Sequence, residues 1–168
     1  MKKIFLMIIA VAFATSAAIA NGGGTDYKVR NWTATEKYSS IVVSGDISIV
    51  LIEDKASVVS IQGKEKMVDQ ACIEVKEGVL YVHGKKGPWR NKTVVYIPVQ
   101  QLRRITVTGA SEVASMGILN SDRLHIRIEG SCKVSVKNKG IVTVDNDEDF
   151  EVSYDKYEEI KPSKNQSI

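Results

Sequence analysis

The feature that most constrains this chain is an alternation of apolar and polar residues that is interrupted again and again. Ile47, Ile49 and Leu51 alternate with polar or solvent-side positions, as do Leu80 and Val82, then Leu124, Ile126 and Ile128, then Cys132, Val134 and Val136. A period of two puts one side of an extended chain in a core and the other in water, whereas a helix would repeat every three to four residues. Polar or glycine-containing breaks follow each run: Glu53–Lys55, Gly63–Lys66, Lys76–Gly78, Gly84–Asn91, Asn120–Asp122, Lys137–Gly140 and Asp145–Asp149. Only Glu65–Ala71 has the composition of a short helical turn. The chain reads as an all-β domain of about ten short strands, with breaks at the spacing expected of such folds.

The strands also resemble one another. Ile105, Val107 and Gly109 repeat as Ile126, Ile128 and Gly130, and weaker copies end on Gly45, Gly63 and Gly84. Gly63 to Gly84 and Gly109 to Gly130 are both 21 residues. A recurrence near 20 residues points to stacked rungs, a β-solenoid, ahead of the alternative β-sandwich. Each rung would bury one apolar row and then turn a corner, where glycine allows positive φ and close approach of backbones.

The first residues have the form of an export signal. Lys2 and Lys3 precede the apolar run from Ile4 to Ala14, and Ala18 and Ala20 suit a signal-peptidase site. The run is too short for a spanning helix, which needs about 20 apolar residues. The expected organisation is a signal peptide at 1–20, a flexible leader at 21–31, a β-solenoid domain at 32–154 and a polar tail at 155–168. The expected location is the periplasm, the cell surface or the extracellular space. Two of the 23 basic residues lie in the signal, leaving 21 against 20 acidic ones. So even a balance argues against nucleic acid, whose phosphates need a concentrated cationic surface.

An exported chain with two cysteines raises the question of a disulfide. Alternation puts Cys72 on the side of Glu74, away from Ile73 and Val75, and Cys132 on the apolar side with Val134 and Val136. The thiols then face opposite ways and stay unpaired. No second Cys or His stands at metal-ligand spacing from either, and no cofactor is expected.

One ordered set of segments carries a family resemblance. Tyr38, Ile41, Val43, Gly45 and Leu51 come first, followed by Val59, Ile61 and Gly63. Then come Ile73, Val75, Gly78 and Leu80, then Val94, Tyr96, Ile97 and Pro98, then Leu102, Ile105 and Gly109. Over roughly residues 32–144 this order resembles the GIN domain, the head domain of autotransporter-adhesin-like proteins exported by Bacteroidetes-type bacteria. The resemblance implies a right-handed single-stranded β-helix related in shape to pectin lyases, without catalytic residues, and a role in adhesion. The chain departs from the family pattern at two places. Its corners read Gly109-Ala110-Ser111 and Gly130-Ser131-Cys132, where the family favours Gly-Ser-Gly, and the glycine repeats fade after Gly140. Phe150, Val152 and Tyr154 are candidates to cap the last rung.

Candidate chemistry is sparse. His83 and His125 fall on polar strand sides, where a solvated imidazole is the plain expectation, and nothing in the sequence brings Ser and a carboxylate to either. Asp145, Asp147, Glu148 and Asp149 offer oxygens to calcium but lack a binding loop's spacing, so they read as a solvated turn. They are also the candidate acids for a polysaccharide-active enzyme. The longest break holds Trp89 beside Lys85, Lys86 and Arg90, an arrangement that could stack on a sugar or a partner, although Trp89 as a loop anchor is the plainer role. Tyr81 and His83 share the outward side of their strand and could join that contact patch. Trp32, just ahead of the first rung, is placed to cap that end. The expected function is a non-enzymatic binding or adhesion module whose partner is a glycan or surface protein. The rivals are a self-assembling envelope protein that forms homo-oligomers through its solenoid ends, and an enzyme on the same fold.

Overall fold

The structure, a computed structural model, describes residues 27–84 and 93–146, together with the strand at 153–156. Alternation produces thirteen strands and one helix in these residues, rather than about ten strands. They are β1 (Tyr27–Thr33), β2 (Ser40–Gly45), β3 (Ser48–Glu53), β4 (Val58–Lys64), α1 (Glu65–Gln70), β5 (Cys72–Lys76) and β6 (Val79–His83). There follow β7 (Thr93–Val99), β8 (Arg104–Gly109), β9 (Glu112–Leu119), β10 (Arg123–Glu129), β11 (Lys133–Asn138), β12 (Ile141–Asn146) and β13 (Ser153–Lys156). The short helix falls where composition placed it.

Two mixed sheets enclose one apolar cluster. Sheet A runs β1-β4-β7-β3-β9-β11-β13 and sheet B runs β12-β10-β8-β2-β6-β5. The pairs β6/β7, β2/β3, β8/β9, β10/β11 and β12/β13 each send one strand to either sheet, and they lie in the same order in both. Within each sheet these strands pair in parallel. The register stacks like on like, with Leu80, Ile41, Ile105 and Ile126 side by side in sheet B, and Val95, Ile49, Val113 and Val134 in sheet A. All eight are buried. Neighbouring strands lie about 4.8 Å apart, so each row is a continuous apolar ridge removed from water.

The corners between sheets carry the glycines. An added Cβ at Gly109, whose φ is +82°, would lie 2.7 Å from the Gly45 carbonyl oxygen. The Ala110 N–H donates to that same oxygen at 3.0 Å, so the corners hydrogen-bond in a ladder. The departures from Gly-Ser-Gly also have a physical reason. Ser111 Oγ donates to the Gly45 carbonyl at 3.0 Å, and Cys132 Sγ donates to the Gly109 carbonyl at 3.2 Å. The residue two beyond each of these glycines therefore ties its corner to the neighbouring one.

Three expectations are corrected. Gly63 is no corner, because it lies inside β4, which pairs antiparallel with both β1 and β7. Its 21-residue distance from Gly84 is a coincidence of local pattern. Residues 27–31 are not part of a flexible leader but belong to β1, held because its inner side is anchored. Arg30 Nη2 donates to the Ala71 carbonyl at 2.6 Å, and Lys28 Nζ sits 2.8 Å from Asp69 Oδ1 and 3.4 Å from Glu65 Oε1 on α1. The hydrogen bond to Asp69 raises the Lys28 pKa above its usual value. Residues 155 and 156 are likewise in β13 rather than in a tail, paired with Lys137 and Asn138.

Both cysteines are free, Cys72 exposed and Cys132 buried. Burial pushes the Cys132 thiol pKa up, which lowers its thiolate fraction near neutral pH. In the native protein at mildly alkaline pH, a maleimide is expected to label Cys72 rapidly. Cys132 should lag by about tenfold or more, because thiolate fraction and access both fall. Intact mass spectrometry against time reads this directly, and two equal labelling rates would contradict the buried corner.

Candidate functional site

Of the expected contact residues, Lys85, Lys86, Trp89 and Arg90 lie outside the described residues, as do Asp147–Asp149, Phe150 and Val152. Tyr81 and His83 are described, and both are exposed on the outer side of β6. Parallel and antiparallel pairing surrounds them. Cys72 and Glu74 on β5 are the register partners of His83 and Tyr81, and Val42 and Ser44 on β2 are the partners on the other side. His83 Nδ1 and Ser44 Oγ share a hydrogen bond of 2.7 Å, which orients the ring.

Tyr81 and His83 form one wall of a groove of about 440 Å³ where the edges of the two sheets meet. The opposite wall comes from β1, with Arg30, Asn31 and Trp32, and the floor from Ala71 and Ile73. Trp32 packs partly buried against the core at this end, which agrees with its expected capping position. The groove joins aromatic faces to a guanidinium and a carboxylate, Glu74. Apolar ring faces with polar groups around them suit a ligand that has both CH surfaces and hydroxyls. The sequence did not show that β1 supplies half of this groove, because residues 30–32 and 81–83 meet only through sheet edges distant along the chain.

His125 is the other imidazole. Its Nδ1 is 3.1 Å from Thr143 Oγ1 and its Nε2 is 3.2 Å from Asp145 Oδ2. Asp145 is therefore not in a solvated turn but on β12, with its carboxylate spent on the neighbouring strand's ring. Both partners of His125 come from one exposed strand face, the ordinary result of cross-strand polar pairing. No cluster of three or more His, Cys, Asp or Glu able to hold a metal occurs among the described residues. No helix among them is long and apolar enough to cross a membrane.

Arg104 lies beside His125 in register, and neither Arg104 nor its basic neighbours Arg103, Arg123 and Arg127 stood out in the sequence. A signal was present. Arg104 and His125 are 21 residues apart, the same offset as Gly109 and Gly130.

Comparison with known proteins agrees with this architecture. Residues 37–153 match the family described as "Putative auto-transporter adhesin, head GIN domain". Among solved structures, a "putative adhesin" from Parabacteroides merdae is 20% identical with a TM-score of 0.60, the match covering 74% of this chain and 53% of that one. A "putative adhesin" from Bacteroides fragilis is 18% identical with a TM-score of 0.54, covering 72% of this chain and 62% of that one. At such identities the likeness is one of fold, and the match takes in about half of the first structure's length. None of the curated proteins matches this chain. With a family match over 117 consecutive positions and the same fold in those neighbours, the chain belongs to the "Putative auto-transporter adhesin, head GIN domain" family.

Proposed function

We propose that this protein is an exported, non-enzymatic binding module of the cell envelope or surface, and that the groove between β1 and β6 is its contact site. Its stacked strand pairs are read as the rungs of a solenoid, with the β1–β4 and β5 strands folded back over one end. The signal-like residues 1–20 direct it out of the cytoplasm. Membership in an adhesin-like family supports the class of function. The observation that carries the site is the meeting of Tyr81, Trp32, His83 and Arg30 around one open groove. Lys85, Lys86, Trp89 and Arg90, which lie outside the described residues, come shortly after His83 in the chain.

A glycan or a surface protein is the partner that this chemistry suits. The test is a panel of immobilised glycans and extracellular-matrix proteins probed with the purified chain. The expected result is saturable binding that weakens about tenfold in Tyr81→Ala, the loss typical of an aromatic anchor. Trp89→Ala weakens it further if the loop takes part. A folded chain that binds nothing on the panel, or a Tyr81→Ala variant that binds as well as the parent, removes this groove from the function.

A second reading has its own support. The edge strands β1 and β12 expose Tyr27, Val29 and Ile141, with relative exposures of 64%, 52% and 58%. Exposed apolar edges are templates for pairing between copies. End-on self-assembly predicts oligomers that grow with concentration in light scattering, and a strict monomer at high concentration contradicts it.

A further inference from the structure

The outer face of the other half of sheet B carries a different chemistry. Arg104 on β8 and His125 on β10 are register partners, Arg127 lies beside Thr106, and His125 in turn faces Thr143 on β12. Arg103 directly precedes β8 and Arg123 begins β10. All four arginines are exposed. Two hollows meet at His125. One, of about 630 Å³, is lined by Gln101, Arg103, Asp122, Arg123 and Thr143 among others. The other, of about 410 Å³, is lined by Arg104, Thr106, Arg127 and Glu129. Together they make a groove that follows β10 from Arg123 to Glu129, about 20 Å at the rise of a strand.

The charges along this groove divide into two sets. Arg127 Nε is paired with Glu129 Oε1 at 2.7 Å, and His125 is paired with Asp145. Arg103, Arg104 and Arg123 form no ion pair among the described residues. Three permanently charged planar forks thus stand along an open groove with hydroxyl and amide side chains between them. A guanidinium takes a carboxylate through two parallel hydrogen bonds, and it stays charged at any physiological pH.

We propose that this groove binds a linear acidic polysaccharide. Arg103, Arg104 and Arg123 take its carboxylates, while Thr106, Thr143 and Gln101 hydrogen-bond its hydroxyls. Nucleic acid fits less well. Asp122, Glu129 and Asp145 interrupt the positive charge, which suits carboxylates spaced one per sugar better than the continuous, doubled phosphate rows of a duplex. No Phe, Tyr or Trp among the described residues lines either hollow to stack on a base, and His125 is held edge-on by its hydrogen-bond partners Thr143 and Asp145. A peptide strand fits less well because β8 and β10 are interior strands, whose backbone groups are already paired. This site lies away from the β1–β6 groove and stands or falls separately from it.

The experiment is isothermal titration of the full chain with polygalacturonate, at about 0.05 M and about 0.5 M salt so that screening is varied. Dextran sulfate, neutral dextran and duplex DNA serve as comparisons. Saturable binding of polygalacturonate and none of neutral dextran are expected. The double variant Arg104→Gln/Arg123→Gln should weaken binding about tenfold, and Arg104→Lys/Arg123→Lys should lose part of that by keeping charge without the bidentate fork. Lys66→Gln, an exposed charge change on α1 outside both grooves, should leave it unchanged. Circular dichroism confirms that the variants are folded, as expected for exposed side chains. The proposal is overturned if polygalacturonate does not bind or the Gln double variant binds as well as the parent. It is equally overturned if duplex DNA binds as tightly, or if dextran sulfate binds while polygalacturonate does not.

Discussion

Replacing Gly45 with alanine should cost roughly 3–5 kcal/mol, a large share of the 5–15 kcal/mol that holds a domain of this size together. Two separate terms add at this corner. Gly45 has φ +103°, where a Cβ strains the backbone by about 1–3 kcal/mol. That Cβ would also lie 2.2 Å from the Gly84 carbonyl oxygen. Relief requires the neighbouring corner to move, and that corner is tied down by the Gly84 N–H donating to the Ser44 carbonyl at 3.0 Å. Overpacking of this kind costs about 1–3 kcal/mol more. Gly117→Ala is the internal control. Its φ is +88°, but nothing lies within 4 Å of the added atom, so only the backbone term of about 1–2 kcal/mol applies. The contacts at Gly45, Gly109 and Gly130 lengthen from 2.2 to 2.7 to 3.0 Å, so the losses on alanine substitution should fall in that order. Urea unfolding followed by circular dichroism measures all four variants. Equal losses at Gly45 and Gly117 would mean that the corners are not in contact as described.

The second large effect is expected at Asn138, which is fully buried at the opposite turn between the sheets. Its Oδ1 accepts from the Ser121 N–H at 3.1 Å and its Nδ2 donates to the Ser121 carbonyl at 2.9 Å. Ser121 is itself only 3% exposed, so water cannot readily replace either bond. Asn138→Leu keeps the bulk and leaves a buried donor and a buried acceptor unpaired, each costing about 1–3 kcal/mol. The expected loss is roughly 2–5 kcal/mol by the same unfolding measurement, against less than about 0.5 kcal/mol for the exposed neighbour Lys139→Ala. A loss below about 1 kcal/mol in Asn138→Leu would show that the amide is not the tie between these turns.

Asn138 also shows the limit of pattern reading. In the sequence it stands within a polar break from Lys137 to Gly140, and nothing local distinguishes it from a solvated turn residue. It is buried because β11 stacks on β9 and brings it against the turn after Leu119. The two adhesive candidates behaved the same way. Tyr81 and His83 were legible as an outward pair on one strand and Trp32 as a residue at one end, yet nothing local showed that Trp32 and Arg30 line the same groove as that pair. The arginines of sheet B were hidden in two runs of ordinary strand-surface residues. Only their offset of about 20 residues hinted that they sit on neighbouring strands.

What the sequence by itself determined was the all-β class, the buried rows, the short helix after Gly63 and the corner role of Gly109 and Gly130. Each follows from information carried within a few residues: alternation chooses the buried side, and positive φ at a tight corner selects glycine. The tertiary structure alone decided which strands are neighbours and in which direction they run. Val59, Ile61 and Gly63 read like the end of a rung, but β4 lies antiparallel to β7 and carries β1 outside it. Alternation is the same in parallel and antiparallel pairing, so it cannot distinguish them. The placement of β1 was decided by its seven-residue antiparallel pairing with β4, about thirty residues away, to which Lys28 and Arg30 add contacts with the carboxylates and carbonyl of the α1 region. A charged residue in a strand looks solvent-bound until the fold presents the group that neutralises it, and that encounter is non-local by nature.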